Sequence, residues 1–289
     1  MKSKGDFHLH STASDGVHRP SWVMETAHAR GVRVLALTDH DTTEGLAEAT
    51  VAAKGLGLRL VPGMELSTDL GPADVHLLAF GFDVGARPLQ EFLKSQREGR
   101  IGRTLTILEI LAKHGMSLDM SRVLEIAGDA TVGRPHVARA LIEKGFVASV
   151  QEAFDLWLGN GKAADVNREK LSPEDAIKLV HDHGGLVFAA HPVFIGVDYV
   201  AALRQLTNWG LDGVETFYKH YDDETVEIHR NIAAELRIGT SGGSDYHGLG
   251  NPDDREIGDI PFPEAEVDAF ITYLETRKVH TLFLTGGSQ

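Results

Sequence analysis

DFHLHSTASDG, residues 6–16, is the stretch whose reading decides the fold. Its opening DFHL reads as a short strand over 6–9, and the polar, glycine-containing run behind it reads as a turn. Side chains alternate along a strand, so His8 and His10, two residues apart, face the same way. They stand at the strand's C-terminal end, where (β/α) barrels build their active sites. An HxH pair alone does not separate a functional site from two packing histidines. The decision therefore rests on whether other strand ends repeat it.

Outward from residue 16 the chain alternates between short apolar runs and helical periods. A helix is expected over 20–30, with Pro20 in its first turn and Gly31 at its end. A strand follows over 32–38 (VRVLALT), then a helix over 42–54 closed by Gly55 and Gly57, then strands at 58–61 and 74–80. This alternation implies a parallel sheet or a (β/α) barrel. From Pro88 to Phe154 no strand is expected. A long helical period at 88–113 and shorter ones near 119–127, 134–144 and 149–158 read as an all-helical insertion. The barrel pattern resumes with a helix at 173–183, then GLVFAAHP (185–192), DGVETF (212–217), LRIGTSGGSD (236–245), a helix at 264–277 and VHTLFL (279–284). The expected organisation is a barrel from 1–87 and 165–289 around a helical cap subdomain at 88–164.

Composition narrows the chemistry. The 289 residues are ample for a buried core, and 42% hydrophobic with 24% charged residues is ordinary for a globular protein. There is no cysteine, which excludes disulfides, thiolate metal sites and thiol catalysis. A transition metal must then be held by His, Asp and Glu, a donor set that suits Mn²⁺, Fe²⁺ or Zn²⁺, and fifteen histidines can supply it. The N-terminus has no apolar stretch behind its lysines, and no run of apolar residues is long enough to span a membrane. The expectation is a cytoplasmic protein without a membrane partner. A net charge of −14 argues against stable DNA binding.

The strand ends do repeat the opening motif. Asp15 lies in the first loop, and Asp39 and His40 end the second strand in LALTDHDT. Glu65 ends the third in VPGMELS, and His76 lies within the fourth. His191 ends FAAHP, and Asp245 and His247 end SGGSDYHG. A single Asp or Ser at such a place is ordinarily a helix cap or a loop residue. Capping does not account for six histidines at equivalent positions, and Gly16, Gly63, Gly242, Gly243 and Gly248 beside them permit close backbone approach. The pattern points to a metal site.

DFHLHSTASDG, LALTDHDT, GMELS, AHP and GSDYHG together resemble the signature segments of the PHP (polymerase and histidinol phosphatase) superfamily, over nearly the whole chain. The insertion's GRPHVARALIEKG (133–145) and GKAADVNREKLSPEDAI (161–177) resemble a branch of 3′,5′-nucleoside bisphosphate phosphatases and 5′→3′ exoribonucleases. The resemblance implies an α/β fold, a distorted (β/α)₇ TIM-like barrel with an inserted helical subdomain. It implies two or three divalent metals, Mn²⁺ foremost with Fe²⁺ or Zn²⁺ as alternatives. By position, His8, His10, Glu65 and Asp245 correspond to ligands of a first metal. Glu65 bridges to a second held by His76 and His191, and Asp15, His40 and His247 hold a third. Asp15 stands where some members carry a histidine.

The expected reaction is hydrolysis of a phosphate monoester, foremost the 3′-phosphate of a nucleoside 3′,5′-bisphosphate. Three divalent cations against three carboxylates leave the centre at about +3, which lets an acidic chain attract a phosphate dianion. A hydroxide shared by the two metals that Glu65 joins would be the nucleophile, its parent water made far more acidic by the metals. Asp39, His136 and His220 are the candidate proton donors. Arg134 and His136, at the start of a helix in the insertion, are the candidate substrate contacts. Arg168, Lys170 and the aromatic run FYKHY (217–221) are further candidates, the last for stacking on a base, while Trp157 and Trp209 read as core. The alternatives are a 5′→3′ exoribonuclease on short RNA and a histidinol-phosphate phosphatase. An amidohydrolase-type enzyme does not explain Asp15, His40 and His247, and a non-catalytic metal-binding module does not explain so complete a ligand set.

Overall fold

A computed structural model describes residues 2–128, 132–166, 171–196, 198–250 and 255–285. The chain divides into two compact units: Met1–Gln90 with Lys170–Gln289, and Glu91–Glu169. The first is a seven-stranded sheet in sequential order, β1 (Gly5–Asp6), β2 (Val34–Leu37), β3 (Arg59–Leu70), β4 (Ala73–Phe80), β5 (Leu186–Ala189), β6 (Gly213–Tyr218) and β7 (Gly239–Gly243). It closes on itself, because Phe7 N donates to Gly242 O and Leu9 bridges Tyr246 in parallel. Helices α1 (Pro20–Ala29), α2 (Gly45–Leu56), α7 (Pro173–Asp182), α8 (Tyr199–Asn208), α9 (Asp223–Leu236) and α10 (Glu264–Thr276) complete this unit. The architecture is the expected α/β barrel.

Alternation along β2 shows how sequence becomes a barrel. Val34 and Ala36 join the cluster that contains Phe7, Phe80 and Phe188, while Leu35 and Leu37 pack with Val23, Met24 and Ala27 of α1 and Ala49 and Ala53 of α2. The period of two thus serves an inner and an outer core at once, as a strand buried on both faces requires. The ring of Phe270 from α10 meets Phe7, Phe80 and Phe188, so α10 fills the barrel's centre from below. The closing VHTLFL segment forms no strand. It crosses the same end, with His280 N donating to Gly184 O, Thr281 N to Gly81 O and Leu284 N to Leu60 O.

Two local differences from the sequence reading have physical causes. The first strand is regular only over Gly5–Asp6, because Leu9 N donates to the Thr38 hydroxyl and the Asp6 carboxylate accepts from Ser244 N, so side chains replace ladder partners. The third strand does not end at 61. It runs to Leu70, turns through Gly71 and Pro72, and pairs with β4 antiparallel, with Glu65 opposite Leu78 and Ser67 opposite His76. β4 is antiparallel to β5 as well, so it is the one reversed strand, and no helix separates it from β3. Glu65 and His76 therefore reach the ligand pole on a hairpin, not at the ends of two parallel strands. Helix α8, which ends at the C-cap Trp209, and helix α9, absent from the periodicity reading, surround β6 in the sequence and carry Asp198 and Asp222 as side-chain caps.

The second unit contains α4 (Met120–Ala127), α5 (Arg134–Glu143), α6 (Val150–Ala153) and most of α3 (Arg87–Lys113), and no strand lies among its described residues. Its own core gathers Leu108, Leu111, Val123, Val137, Leu141 and Leu158. Trp157, in a π-helical turn at Phe154–Leu158, packs on the edge of that core.

Candidate metal centre

Nine side chains from the loops and strands of the barrel unit converge at its upper pole. Glu65 is the hub and is 1% exposed. Its Oε2 lies 3.1 Å from His8 Nε2, 3.1 Å from His10 Nε2 and 3.2 Å from His40 Nδ1. Its Oε1 lies 2.8 Å from His76 Nδ1 and 3.2 Å from His191 Nε2. Asp245 Oδ1 adds contacts of 3.3 Å to His8 Nε2, 3.2 Å to His10 Nε2 and 3.5 Å to His247 Nδ1. Asp15 completes the group, 3.3 Å from His247 Nε2 and 3.9 Å from His40 Nε2.

These contacts fit cations better than hydrogen bonds. Both ring nitrogens of His10, and Nδ1 of His40 and of His76, are buried without a hydrogen-bond partner among the described residues. They sit close to carboxylate oxygens without aiming at them. Cis ligands at 2.0–2.2 Å from a divalent ion stand about 2.8–3.6 Å apart, depending on geometry. The four histidine–carboxylate distances among His8, His10, Glu65 and Asp245, 3.1–3.3 Å, have that spacing, and these residues form one of three ligand groups with mutually close donor atoms. The second is His10, Asp15, His40 and His247, and the third is His40, Glu65 and His76. His40 belongs to two groups because Nδ1 faces Glu65 while Nε2 faces Asp15.

Electrostatics describe the same convergence. Burial raises the Glu65 carboxyl, but His40, His8 and His76 hold it well below its usual range. Burial lowers the imidazoles, yet Glu215, Glu65 and Asp245 raise His8 well above its ordinary value. Asp245 and Glu65 likewise lift His10 to about 9, and Glu65 and Asp74 lift His76 to about 10. Burial dominates at His40, which falls to about 3. A concentration of negative charge this deep calls for cations, and protons are only one kind.

Backbone geometry supports the arrangement. His191 (φ 26°) and Asp245 (φ 48°) occupy the left-handed region that non-glycine residues avoid, strain that accumulates at functional sites. β7 approaches β1 so closely that a Cβ on Gly243 would lie 2.2 Å from His8 Cβ. The cavity above the cluster has a volume near 280 Å³ and is lined by His40, Glu65, His76, His191, Phe194, Tyr218, Asp245 and His247.

The other expected site residues have different surroundings. Asp39 is 1% exposed and accepts from Ser11 N, the Ser11 hydroxyl and the Ser14 hydroxyl at 2.7–2.8 Å. Its oxygens fasten the loop that carries Asp15. His220 is exposed and stands beside Tyr218, and it is not part of the cavity wall. His136 and Arg134 belong to the helical unit. His136 Nδ1 accepts from Gly133 N at 3.0 Å and so caps α5. Arg134 donates to Leu158 O and Asn160 Oδ1. These contacts give both residues structural work inside that unit. Arg168 and Lys170 lie outside the described residues. Within FYKHY, Phe217 is core, Tyr218 donates to Asp245 Oδ2 at 2.8 Å, and Lys219 Nζ reaches Asp245 O at 3.0 Å.

Sequence reasoning missed Glu215, which is fully buried and accepts from His8 Nδ1 at 3.0 Å and from His191 N at 2.7 Å. It fixes the N–H of His8 on Nδ1 and leaves Nε2 as the ligand atom, the usual partnership of a carboxylate with a metal-binding histidine. The available signal was its place on a buried strand, where an unpaired carboxylate is costly. Asp6, pushed by burial to about 6, was missed as well. It accepts from Ser244 N and Gly258 N and anchors the Asp245 loop.

A seven-stranded α/β barrel with a shared carboxylate among histidines defines a metal-dependent phosphoesterase. The chain matches the PHP domain model over residues 6–155 and belongs to that family. It is 35% identical to a 5′-3′ exoribonuclease of Haemophilus influenzae, covering 86% of this chain and 91% of that protein. It is 34% identical to a phosphoribosyl 1,2-cyclic phosphate 1,2-diphosphodiesterase of Eggerthella lenta (84% and 94%). It is 32% identical to a 3′,5′-nucleoside bisphosphate phosphatase of Chromobacterium violaceum (89% and 92%). Among solved structures, a Chromobacterium violaceum protein described as an amidohydrolase, with sulfate bound and no metal, superposes with a TM-score of 0.84 at 30% identity, covering 95% of this chain and 97% of that one. No helix among the described residues is long and apolar enough to cross a membrane.

Proposed function

We propose that the protein removes the 3′-phosphate from nucleoside 3′,5′-bisphosphates, with Mn²⁺ as the best-matched metal and Fe²⁺ or Zn²⁺ as alternatives. The observation that carries this reading is the sharing of Glu65: one oxygen faces His8, His10 and His40, the other faces His76 and His191. His8, His10, Glu65 and Asp245 would hold one cation and Glu65, His76 and His191 a second, with Asp15, His40 and His247 for a third. Bound there, divalent cations supply charge to neutralise a phosphoryl group and a water acidic enough to serve as nucleophile.

The chain's own residues orient this chemistry. Glu215 holds His8 and the His191 backbone, and Asp39 and Asp6 fasten the loops that present Asp15 and Asp245. Tyr218 and Lys219 keep Asp245 Oδ2 occupied, so Oδ1 is left for His8, His10 and His247. The pocket near 280 Å³ is at the small end of ligand cavities, which favours enclosure of a phosphate ester with the rest of the substrate at its mouth.

The test is phosphate release from a nucleotide panel by protein stripped of metal and reloaded with Mn²⁺. Adenosine 3′,5′-bisphosphate should be the best substrate, and no release from any nucleotide would refute the reading. The 35% identity to an exoribonuclease favours a second reading, trimming of short RNA. Mononucleotide release from 5′-phosphorylated RNA outpacing bisphosphate hydrolysis would select it.

A further inference from the structure

Phe194 is 61% exposed, yet it forms part of the wall of the metal cavity. Single exposed apolar residues are ordinary on protein surfaces. Among the large exposed hydrophobics of the described residues, however, Phe194 alone lines this cavity. It follows the candidate ligand His191 within a single 3₁₀ turn, Pro192–Ile195. That turn is fixed from several sides: Phe194 N donates to His191 O at 3.0 Å, His191 N to Glu215 at 2.7 Å, and Val193 N to the Tyr221 hydroxyl at 3.4 Å. The ring meets His191 and Tyr218 in edge contacts, with centroids 5.6 and 5.8 Å apart. The same residues that position a metal ligand thus position an aromatic ring at the cavity mouth.

We infer that Phe194 is the stacking surface for the nucleobase of the substrate whose phosphate enters the cluster. The inference rests on the proposed nucleotide reading and adds its specificity determinant. The pocket is small, and apart from Phe194 and Tyr218 its lining residues are all candidate metal ligands, so cations and a phosphoryl group would fill its interior and a base would lie outside it. At the rim, an aromatic ring with most of its area open to solvent gives a base a flat surface. Stacking tolerates any base, because every base presents a π-face. It therefore selects for a nucleotide over a phosphorylated sugar without choosing among nucleotides.

The experiment compares 2′-deoxyadenosine 3′,5′-bisphosphate with its abasic counterpart, 1,2-dideoxyribose 3,5-bisphosphate, on wild type, Phe194→Ala and Phe194→Trp. Melting temperature and bound metal are measured for each protein. Phe194→Ala should lower the nucleotide-to-abasic ratio of kcat/KM on the order of 10- to 100-fold, chiefly through KM. Phe194→Trp should keep the ratio within a few-fold of wild type. An unchanged ratio in Phe194→Ala, or a ratio that Trp fails to preserve in a folded and metal-loaded protein, overturns the stacking role alone. Wild-type protein that turns over neither bisphosphate overturns the nucleotide reading, and the stacking role with it.

Discussion

Replacing Glu215 with glutamine keeps the shape of a fully buried side chain and removes its charge. The carboxylate now accepts two hydrogen bonds, from His8 Nδ1 at 3.0 Å and from His191 N at 2.7 Å. An amide has only one acceptor oxygen. If that oxygen stays on His191 N, the amide NH₂ faces His8 Nδ1 and forces its proton onto Nε2. Nε2 is the atom 3.1 Å from Glu65 and 3.3 Å from Asp245, so the forced tautomer presents a proton where a ligand lone pair belongs. If the amide turns over, the His191 N–H meets an NH₂ and loses its partner. Either outcome sacrifices one buried, charge-assisted hydrogen bond, and such partners change metal affinity by about 10- to 100-fold, or about 1.4–2.8 kcal/mol. The assay is chelator competition for Mn²⁺ with activity followed against free metal. Glu215→Gln should shift the activation curve 10- to 100-fold to higher metal while much of kcat returns at saturation. An activation curve that superposes on wild type would refute the tautomer argument.

In metal-free protein His8, His10 and His76 are raised, the latter two to about 9 and 10, so they hold protons at pH 7 that metals must displace. Raised groups favour the metal-free state below those values, so metal affinity should climb as pH rises from 6 to 9. Calorimetry in buffers of different ionisation enthalpy should show proton release on loading, and buffer-independent heats would contradict it. Asp39→Ala strands the Ser11 and Ser14 donors and should cost about 2–4 kcal/mol of stability, read from denaturant unfolding. Asp39→Asn should leave the alkaline limb of the pH–rate profile where it is, whereas loss of that limb would make Asp39 a proton donor. Arg134→Ala should lower the melting temperature through loss of the Leu158 and Asn160 contacts. An unchanged melting temperature with a raised KM for bisphosphates would instead support the substrate contact expected from sequence.

The candidate metal ligands were legible because their signal is local. His8 and His10 stand two apart just beyond β1, and each remaining candidate ligand stands in a short segment where an apolar run meets a polar one. The reversal of β4 was not legible, because DVHLLAF reads the same in either direction and only pairing fixes its sense. The hairpin's one local sign was Gly71-Pro72, beyond where Pro62-Gly63 had made the third strand seem to end. The supporting carboxylates were hidden for another reason. Glu215 meets His8 across 207 residues and Asp6 meets Ser244 across 238, and no spacing within a segment encodes such a partner. Phe194 was passed over because an isolated phenylalanine after a histidine carries no pattern.

Hydrogen bonding separates two kinds of buried carboxylate around this centre. Asp6 accepts from two backbone N–H groups and Asp39 from one with two hydroxyls, donors that satisfy a carboxylate without leaving it free for a cation, while Glu215 divides between a backbone N–H and the His8 ring. Glu65 directs both oxygens at imidazole nitrogens, and Asp245 does so with Oδ1 while Oδ2 is held by Tyr218 and Lys219. Amide hydrogens are fixed by the fold, whereas an imidazole nitrogen changes from donor to acceptor by losing a proton. A carboxylate surrounded by imidazoles can therefore pass from a proton-balanced state to a metal-balanced one without moving the backbone, and one surrounded by amides cannot. This distinction predicts opposite responses to conservative change. Glu65→Gln should abolish metal binding, and its cost to the metal-free fold should shrink as pH rises through about 9 to 10, where His10 and His76 lose the protons that the Glu65 charge balances. Asp6→Asn should destabilise the fold, by roughly 1–3 kcal/mol for a backbone donor left without an acceptor, whether metal is present or absent. Paired unfolding curves for the two variants, with and without Mn²⁺, decide it. A Glu65→Gln loss in the metal-free state that does not shrink with rising pH would show that Glu65 supports the fold as Asp6 does, and the division of roles would fail.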